Sequence, residues 1–587
     1  MRVYKDLWWF FKQEKKAYLI GILVLIVVSL LVLVPPYVIG RVVDHINDAT
    51  LTMDVLWGWI GLLVGVGVLT YVLRYVWRIM IFGASIRLAR TLRNQLYQHF
   101  TAMSSRFYQR YRTGDLMAHG TNDVRAVQMT AGQGVLTIVD AITMGGFVVL
   151  TMAIVINWKL TLITLAPMPL MAILTSYYGG LLHKRFRAAQ GSFSELNDNV
   201  QGVISGVRVT KAFGQEQAET EQFRLKSLDV VDKNIKVARI DALFSPTISL
   251  IVGICYFLAV AFGARYVISG EMTIGELTSF TVYLSLLIWP MLALGMFFNT
   301  VERGRASYDR IQQLLAEKRD IQDDEGLGDE AVHGPIQVAI PTFSYPGSPS
   351  IALHNMNVTI PEGQTLGIVG KTGSGKTTLL RLLQREYNVT DGSIKVGEQS
   401  IGLIKMNRLR EMYGMVPQDH FLFSASIADN VAFAVPEATM DEIIHACKLS
   451  GIHRDIVTFK EGYDTLVGER GVTLSGGQKQ RISIARALII DPKVLILDDS
   501  LSAVDAATEE YILGQLKEHR KGQTNIITAH RLSAIHHAEN IIVLSDGEII
   551  EQGNHQELMS SGGWYSTMYN QQQLESLVEK GGANREA

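Results

Sequence analysis

The first half of the chain carries long apolar runs, each of a length that can cross a membrane as a helix. Such a crossing takes about 20 consecutive, mostly apolar residues. The pattern predicts six spans, at 18–40, 56–83, 129–156, 160–180, 244–268 and 275–298. A tight polar turn at Asn157–Lys159 separates the third span from the fourth, and Pro35, Pro36 and Pro290 predict bends.

The second half changes to short apolar runs that are bounded by glycine or charged residues and alternate with helical patterns. Thr365–Val369 and Val494–Leu497 are typical of buried strands in an α/β domain. We therefore expect an all-α six-helix transmembrane domain at 1–310, a polar, acidic linker at 311–335, an α/β domain at 336–575 and a flexible tail at 576–587.

Composition agrees with a membrane part joined to a soluble one. Of the 587 residues, 48% are hydrophobic and 19% are charged, and soluble proteins usually carry about a quarter charged residues. The net charge of −2 gives no indication of a nucleic-acid partner. The cysteines Cys255 and Cys447 fall in different predicted domains, and this count gives no sign of a disulfide framework or a cysteine-rich metal site.

The distribution of lysine and arginine predicts the orientation in the membrane. The N-terminal segment and the connections 84–128 and 181–243 are rich in both, whereas the other connections hold few. The positive-inside rule places these segments and both termini in the cytoplasm. Trp8–Phe11, flanked by lysines, predicts an interfacial helix ahead of the first span. The first apolar run is too long for a secretory signal, and we expect a multi-pass protein of a bacterial plasma membrane.

The sharpest motif lies between the predicted strand Thr365–Val369 and a predicted helix that begins at Thr377. It consists of Gly370, Lys371, Thr372, Gly373, Ser374, Gly375, Lys376 and Thr377, followed by Thr378. Glycines let the backbone wrap a phosphate closely with its N–H groups turned inward. We expect Lys376 to reach the β- and γ-phosphates of ATP and Thr377 to hold Mg²⁺.

Two further motifs lie downstream. A buried strand that ends in Asp498 places a carboxylate where a nucleoside triphosphatase needs one for Mg²⁺. A glycine-rich helix start, suited to an anion, is formed by Leu474, Ser475, Gly476, Gly477 and Gln478.

Together these motifs, in this order, resemble an ATP-binding cassette (ABC) domain at 336–575, and residues 1–310 resemble the transmembrane domain of a type I ABC exporter. The resemblance implies that Leu474–Gln478 is the signature motif, which contacts ATP held by an opposite domain. It assigns Tyr345 to adenine stacking, Gln418 to Mg²⁺, Asp505 to the D-loop and His530 to the switch near the γ-phosphate. It also matches Gly468–Gly471 to a loop that contacts coupling helices, and Thr113–Leu116 and Phe213–Glu216 to the two coupling regions.

One position departs from the family pattern. The residue after Asp498 is usually glutamate, the general base that polarises the attacking water, and here it is Asp499. A misplacement of about 1 Å can cost on the order of 100-fold in rate. The chain thus resembles the weak-site subunit of a bacterial heterodimeric multidrug exporter, whose partner carries glutamate. The alternative is that Asp499 is a tolerated variant in a homodimer.

The chain has one P-loop and one signature motif, which in the family lie on opposite edges of the domain, so the resemblance implies a dimer. The expected function is ATP-driven export of amphiphilic drugs or lipids, with ATP and Mg²⁺ as ligands and a second half-transporter as partner. The alternatives are a homodimeric lipid or peptide exporter and an ATP-gated regulatory subunit. The predicted spans exclude a soluble DNA-repair ATPase of the same family.

A few charged residues lie inside the predicted spans, where they are costly. Asp140 lies in the third span, and Arg74 and Arg78 lie four residues apart in the second. We favour a pairing of arginine and aspartate that links helices over a contact with substrate. The remaining pathway is apolar, which suits a lipophilic substrate.

Overall fold

The computed structural model of the chain describes residues 2–323, 332–468 and 474–583. The chain divides into two compact units. The first consists of Met1–Met103 and Tyr108–Lys318, and the second of Ser104–Phe107 and Arg319–Ala587.

The described part of the first unit is helical, and the sixth of the following α-helices begins with residues Ser105–Phe107 of the second unit. Its α-helices are α1 (Arg2–Asp6), α2 (Trp8–Gln13), α3 (Lys15–Leu31), α4 (Val34–Asn47), α5 (Met53–Ala102), α6 (Ser105–Arg110), α7 (Thr113–Ala118), α8 (Val124–Met129), α9 (Val135–Leu150), α10 (Trp158–Leu165), α11 (Met168–Ser205), α12 (Val207–Ala212), α13 (Glu216–Ile268), α14 (Ile274–Leu286) and α15 (Ile288–Leu315). π-Helical segments at His119–Asp123, Thr130–Gly134 and Thr151–Asn157 lie between α7 and α10.

Five helical stretches in the described part of the chain are long and apolar enough to cross a membrane. They are Lys15–Asn47, Met53–Ala102, Thr113–Leu165, Glu216–Ile268 and Ile274–Leu315. These stretches contain all the predicted spans except 160–180. That segment is divided between α10 and α11 by a break at Ala166 and Pro167, and it stays a prediction.

The predicted turn and bends are confirmed. Asn157 is extended, with φ −159° and ψ 117°, and its side-chain oxygen accepts hydrogen bonds from the backbone N–H groups of Lys159 and Leu160. The proline pair lies in the first turn of α4, just after the break that ends α3, and Pro290 lies in the first turn of α15. Proline is tolerated there because the first helical N–H groups have no partner inside the helix.

Helices α4 and α14 approach at two glycines. A Cβ added to Gly275 would overlap the carbonyl oxygen of Gly40, so these backbones touch directly. Asp44 holds the same crossing, because its two carboxylate oxygens accept from the Gly275 N–H at 2.8 Å and the Thr273 hydroxyl at 2.9 Å. The start of α14 is thus fixed to the end of α4.

The second unit combines two sheets with helices. Its strands are β1 (Ile336–Ser344), β2 (Ile351–Ile360), β3 (Thr365–Gly370), β4 (Ser393–Val396), β5 (Gln399–Ser400), β6 (Tyr413–Val416), β7 (Val494–Asp498), β8 (Thr524–Thr528), β9 (Asn540–Ser545) and β10 (Glu548–Gly553). Its helices are α16 (Lys376–Leu383), α17 (Met406–Met412), α18 (Ile427–Val431), α19 (Met440–Leu449), α20 (His453–Ile456), α21 (Gly476–Leu488), α22 (Ala506–His519), α23 (His555–Ser561) and α24 (Trp564–Ala583).

Strand order places the candidate chemistry on one edge. The larger sheet runs β10-β9-β3-β8-β7-β6, and the neighbours β9, β3, β8, β7 and β6 are parallel. The carboxyl ends of parallel strands share one edge, where ligands bind in open α/β sheets. The smaller sheet, β2-β1-β4-β5, is antiparallel. The predicted strands at Thr365 and Val494 are confirmed as β3 and β7.

One predicted boundary needs correction. Helix α15 continues to Leu315 because Ile311 and Leu314 are buried, so the first part of the predicted 311–335 linker is helical. Helix α24 extends to Ala583, and the flexibility of the predicted tail at 576–587 stays a prediction.

Candidate functional site

The glycine-rich loop follows β3 and leads into α16. Three of its glycines have backbone angles that other residues rarely adopt, with φ of 154° at Gly370, 84° at Gly373 and 101° at Gly375. A Cβ at Gly370 would also overlap the carbonyl oxygen of Leu544 on β9. Glycine is therefore required at Gly370 by both conformation and space.

Lys376 begins α16 and its side chain folds back over the loop. Its Nζ donates hydrogen bonds to the carbonyl oxygens of Gly370, at 2.8 Å, and Lys371, at 3.0 Å. Burial lowers the pKa of the Lys376 ammonium, and the nearby carboxylates of Asp498 and Asp499 act in the opposite direction. A cation that is bonded to neutral carbonyls and shielded from water is suited to an anionic ligand.

The buried side chain of Ser374 also indicates whether the loop fits an anionic ligand. Its side chain is 3% exposed, and its hydroxyl has no hydrogen-bond partner among the described residues. A buried hydroxyl without a partner is unfavourable by about 1–3 kcal/mol. An oxyanion in the loop would satisfy it, so the loop residues fit a phosphate group.

Asp498 ends β7 beside the loop and is buried. One carboxylate oxygen accepts from the Thr377 hydroxyl at 3.1 Å and the other from the Thr528 hydroxyl at 2.7 Å. The structure therefore brings together Thr377 and Asp498, the two residues predicted to hold Mg²⁺ on the P-loop side. The described residues contain no group of three or more His, Cys, Asp or Glu that could hold a metal, so Mg²⁺ here would also need phosphate oxygens.

Asp499 follows in a left-handed backbone conformation, with φ 48°. Its N–H donates to the Thr528 hydroxyl at 2.9 Å, and its carboxylate lies 4.0 Å from Nε2 of His530, the residue two positions beyond β8. Both side chains line one pocket, together with Glu509 and Arg531. Gln418 is exposed just beyond β6, at the same edge of the sheet.

Sequence reasoning missed several residues that shape this edge. Thr528 joins Asp498 to Asp499, and buried Glu509 accepts from the Ser533 hydroxyl at 3.1 Å. Gln572 of α24 is bonded to the backbone of the loop that carries His530. Thr528 lies two residues before His530, which is a usable signal in the sequence. Gln572 is one of three successive glutamines, and nothing in the sequence distinguishes it.

Tyr345 is held in a fixed orientation. Its hydroxyl donates to the Thr378 hydroxyl at 3.0 Å. Its ring packs edge-on against Phe343 and Tyr387, with centroid distances of 5.4 and 5.0 Å. The ring is only partly buried, which agrees with an aromatic surface that can receive a flat ligand.

The predicted signature motif forms the start of α21. Ser475 and Gln478 cap the helix reciprocally, through Ser475 N–H to Gln478 Oε1 at 3.0 Å and Gln478 N–H to Ser475 Oγ at 3.3 Å. Leu474 and the buried side of α21 pack in an apolar cluster with α18 and α19, whereas α16 of the P-loop packs in a different cluster. The motif is thus built on a separate part of the unit.

The D-loop is tied to this helix. Fully buried Gln480 of α21 accepts the Ala503 N–H at 3.1 Å, and Asp505 caps α22 by accepting from the Thr508 N–H at 2.9 Å. Of the predicted loop Gly468–Gly471, residues 469–471 lie outside the described part of the chain.

The predicted coupling regions have distinct local structures in the first unit. Thr113–Leu116 opens the short helix α7, while Phe213–Gln215 forms a turn between α12 and α13 in which Gly214 has φ 63°. The Phe213 side chain is 74% exposed. An exposed aromatic on a tight turn is available for a contact, and the coupling role of both segments stays a prediction.

Asp140 of α9 lies close enough to two side chains to interact with them electrostatically. They are Trp289 of α15 and Arg74 of α5, the second span. Arg78 lies over the ring of its neighbour Trp77, with its guanidinium carbon 5.7 Å from the ring centroid.

Comparisons with known proteins cover the whole chain. A family model described as "ABC transporter transmembrane region" matches residues 18–291, and one described as "ABC transporter" matches residues 353–502. The chain is 46% identical over 589 residues to "Multidrug resistance-like ATP-binding protein MdlA" of Escherichia coli (strain K12), which covers 100% of this chain and 99% of that protein.

Two further comparisons agree. The chain is 44% identical over 581 residues to "Probable multidrug resistance ABC transporter ATP-binding/permease protein YheI" of Bacillus subtilis (strain 168), with 99% of each chain covered. A solved bacterial Atm1-family ABC exporter with ATP bound superposes with a TM-score of 0.78 at 25% identity, covering 95% of this chain and 98% of that one.

Proposed function

The chain belongs to the ABC transporter family, with a transmembrane region followed by an ATP-binding domain, and we propose that it exports amphiphilic compounds as one half of a heterodimer. It is a multi-pass membrane protein with the fold of an ABC exporter. The observation that carries the proposal is an intact phosphate-binding edge in which Asp499 occupies the position next to Asp498.

In the ATP-hydrolysing domain, Lys376 exchanges the carbonyl oxygens of Gly370 and Lys371 for phosphate oxygens when ATP binds. Ser374 gains a hydrogen-bond acceptor at the same step. Thr377, Asp498 and Gln418 would hold Mg²⁺, which would neutralise phosphate charge when bound with ATP. The fixed ring of Tyr345 offers its free face to adenine.

The site formed by this chain's own P-loop is proposed to be weak. Asp499 is held at its backbone by Thr528, so its shorter side chain cannot advance by moving the main chain. The general base then stops short of the position that a glutamate carboxylate would reach. The rate of ATP hydrolysis depends steeply on the position of the general base, and a displacement of about 1 Å can lower this rate on the order of 100-fold. We propose that His530, whose Nε2 lies 4.0 Å from the Asp499 carboxylate, contacts the γ-phosphate.

The competent site is proposed to lie across the dimer. ABC exporters act as dimers, and the signature motif is built on a different apolar cluster from the P-loop helix α16. Leu474–Gln478 would therefore complete a site on a partner chain that carries glutamate after its Walker B aspartate. The cap bond between Ser475 and Gln478 fixes the first turn of α21 for that contact.

The proposed orientation and substrate rest on the first unit and on the relatives. The positive-inside rule favours the cytoplasm of a bacterial cell for the basic connections and both termini. Two relatives are named for multidrug resistance, which supports an amphiphilic drug as substrate. Because Asp140 interacts with Trp289 and Arg74 on neighbouring helices, we propose that its carboxylate links helices rather than contacting substrate.

The proposal is tested with the full-length chain in inside-out membrane vesicles, expressed alone and together with a glutamate-bearing half-transporter. ATP-dependent uptake of a fluorescent amphiphile is measured in both. Uptake only in the co-expressed sample supports the heterodimer. Brisk uptake by this chain alone, abolished by Lys376→Ala, would make it a homodimeric exporter, and ATP binding without uptake in either sample would favour a regulatory subunit.

A further inference from the structure

The loop after β8 carries His530 and is fixed at its start by the sheet. The Ala529 N–H donates to the Ile368 carbonyl of β3 at 3.2 Å. Beyond that point the chain leaves the sheet, and the backbone groups of His530 and Leu532 need partners elsewhere. What holds them decides where the His530 ring can lie.

Gln572 supplies both partners. Its Nε2 donates to the His530 carbonyl oxygen at 2.8 Å, and its Oε1 accepts from the Leu532 N–H at 2.9 Å. A primary amide carries a donor and an acceptor side by side, so one side chain can pair with a stretch of backbone as a neighbouring strand would. The orientation of the amide is determined, since the reversed one would place donor against donor.

The opposite side of the loop is held by a carboxylate. Glu509 of α22 accepts from Arg531 Nη1 at 3.4 Å and from the Ser533 hydroxyl at 3.1 Å. The side chains at 531 and 533 are thus held by Glu509, and the backbone at 530 and 532 is held by Gln572. Glu509 of α22 and Gln572 of α24 therefore hold alternating residues of the loop.

Helix α24, which carries Gln572, is itself anchored in the core of the second unit. Its first turn is anchored by the Tyr565 N–H, which donates to Glu551 at 3.2 Å, and the Tyr565 side chain is fully buried in the core. Gln572 lies two turns further along the same helix. Movement of α24 would be passed directly to the His530 loop.

We propose that Gln572 is a positioning residue for ATP hydrolysis, which acts by clamping the His530 loop to the C-terminal helix α24. This inference rests on the proposed function, because it assigns a role at the site where that chain hydrolyses ATP. Gln572 sets the distance between His530 and the γ-phosphate position without touching ATP. The C-terminal helix is thereby part of the hydrolytic machinery.

The chain offers matched controls on the same helix. The side chain of Gln571 donates to Glu575 at 3.1 Å, and that of Gln573 donates to the Tyr569 hydroxyl at 3.1 Å. Both contacts stay within α24. Alanine at 571 or 573 removes the same chemical group as alanine at 572 while leaving the clamp in place.

The first arm of the experiment measures hydrolysis by the full-length chain in lipid nanodiscs, in an Asp499→Glu background that strengthens this site. Gln572→Ala is expected to lower kcat roughly tenfold while KM for ATP stays within about twofold. Gln571→Ala and Gln573→Ala should match the background. Gln572→Glu, which keeps the acceptor for Leu532, should fall in between. Equal kcat for all the alanine variants would overturn the clamp, as would a parallel loss of kcat, ATP affinity and thermal stability in Gln572→Ala.

The second arm needs no turnover. Hydrogen exchange of the Leu532 amide is measured with Mg-ATP bound, and Gln572→Ala should raise its rate at least about tenfold relative to Gln571→Ala. If every variant is inactive even with a glutamate-bearing half-transporter present, yet the amide exchanges faster, the proposed ATPase function fails while the clamp stands. If exchange is unchanged, the clamp is wrong whatever the ATPase rates are.

Discussion

Nε2 of His530 lies 4.0 Å from a carboxylate oxygen of Asp499, so the two side chains face each other across the end of strands β7 and β8. One water molecule can bridge such a distance. Their backbones are linked through Thr528, which ends β8 and accepts the Asp499 N–H. The position of one group therefore depends on the position of the other.

Lengthening the acid should raise the ATPase rate. Asp499→Glu moves the carboxylate forward by one methylene while the Thr528 contact keeps the backbone in place. We expect the rate of the full-length chain, purified alone in lipid, to rise by roughly 10- to 100-fold. Asp499→Glu with Lys376→Ala is the matched control and should be inactive. A wild-type chain as fast as the variant would refute the weak-site proposal.

The unpartnered hydroxyl of Ser374 predicts opposite effects on folding and binding. Ser374→Ala removes a buried group that lacks a partner among the described residues, so nucleotide-free protein should be stabilised by up to about 1 kcal/mol. ATP affinity should fall, since the oxyanion loses a donor. Thermal unfolding with and without ATP measures both effects. A lower melting temperature without ATP would mean that the hydroxyl already has a structural partner.

Two glycines of the loop should differ in their tolerance of a side chain. Alanine at Gly370 meets the Leu544 carbonyl and should cost about 3 kcal/mol or more. At Gly373 a Cβ meets nothing within 4 Å, and only the left-handed backbone is strained, at a cost of roughly 1 kcal/mol. Denaturant unfolding of the two variants provides the comparison, and equal losses would contradict the described crowding at Gly370.

The crossing of α4 and α14 should be sensitive to a single methyl group. Gly275→Ala pushes against Gly40 and displaces the groups that Asp44 holds, which should cost about 1–3 kcal/mol. Gly253→Ala is the control, because its Cβ meets nothing within 4 Å on helix α13. Thermal unfolding in detergent should give a lower melting temperature for Gly275→Ala than for Gly253→Ala. A Gly275→Ala chain as stable as the control would mean that the helices can slide apart freely.

Both cysteines should resist alkylation in the native protein. Burial raises the pKa of the Cys447 thiol to about 12, so its thiolate fraction at pH 7 is only about 10⁻⁵. Cys255 is also fully buried. Mass spectrometry after maleimide treatment should find modification only after denaturation in SDS. Labelling of Cys447 in folded protein would indicate that the helices around it open.

The sequence was sufficient for elements that local pattern encodes. β3, β7, the turn at Asn157 and the bends at Pro35 and Pro290 follow from apolar runs, capping and the missing proline N–H. The end of α15 was misjudged because the buried Ile311 and Leu314 flank the polar residues Gln312 and Gln313, which obscure the helical period in the sequence.

Contacts between residues far apart in the sequence could not be predicted from local pattern. The interaction of Asp140 with Trp289 and the pairing of Gln572 with the His530 loop join segments far apart in the chain. Only the arrangement of the helices brings them together. The P-loop was predictable because its chemistry is carried by consecutive residues.

The left-handed backbone at Asp499 has a genetic consequence. Aspartate is enriched several-fold among the non-glycine residues that adopt this conformation, so folding favours the shorter acid where catalysis favours the longer one. Codons for the two acids differ only in the third base. If the proposed weak site is correct, a single transversion would convert it into a competent one, and such a reversible step would exchange folding stability for ATP turnover.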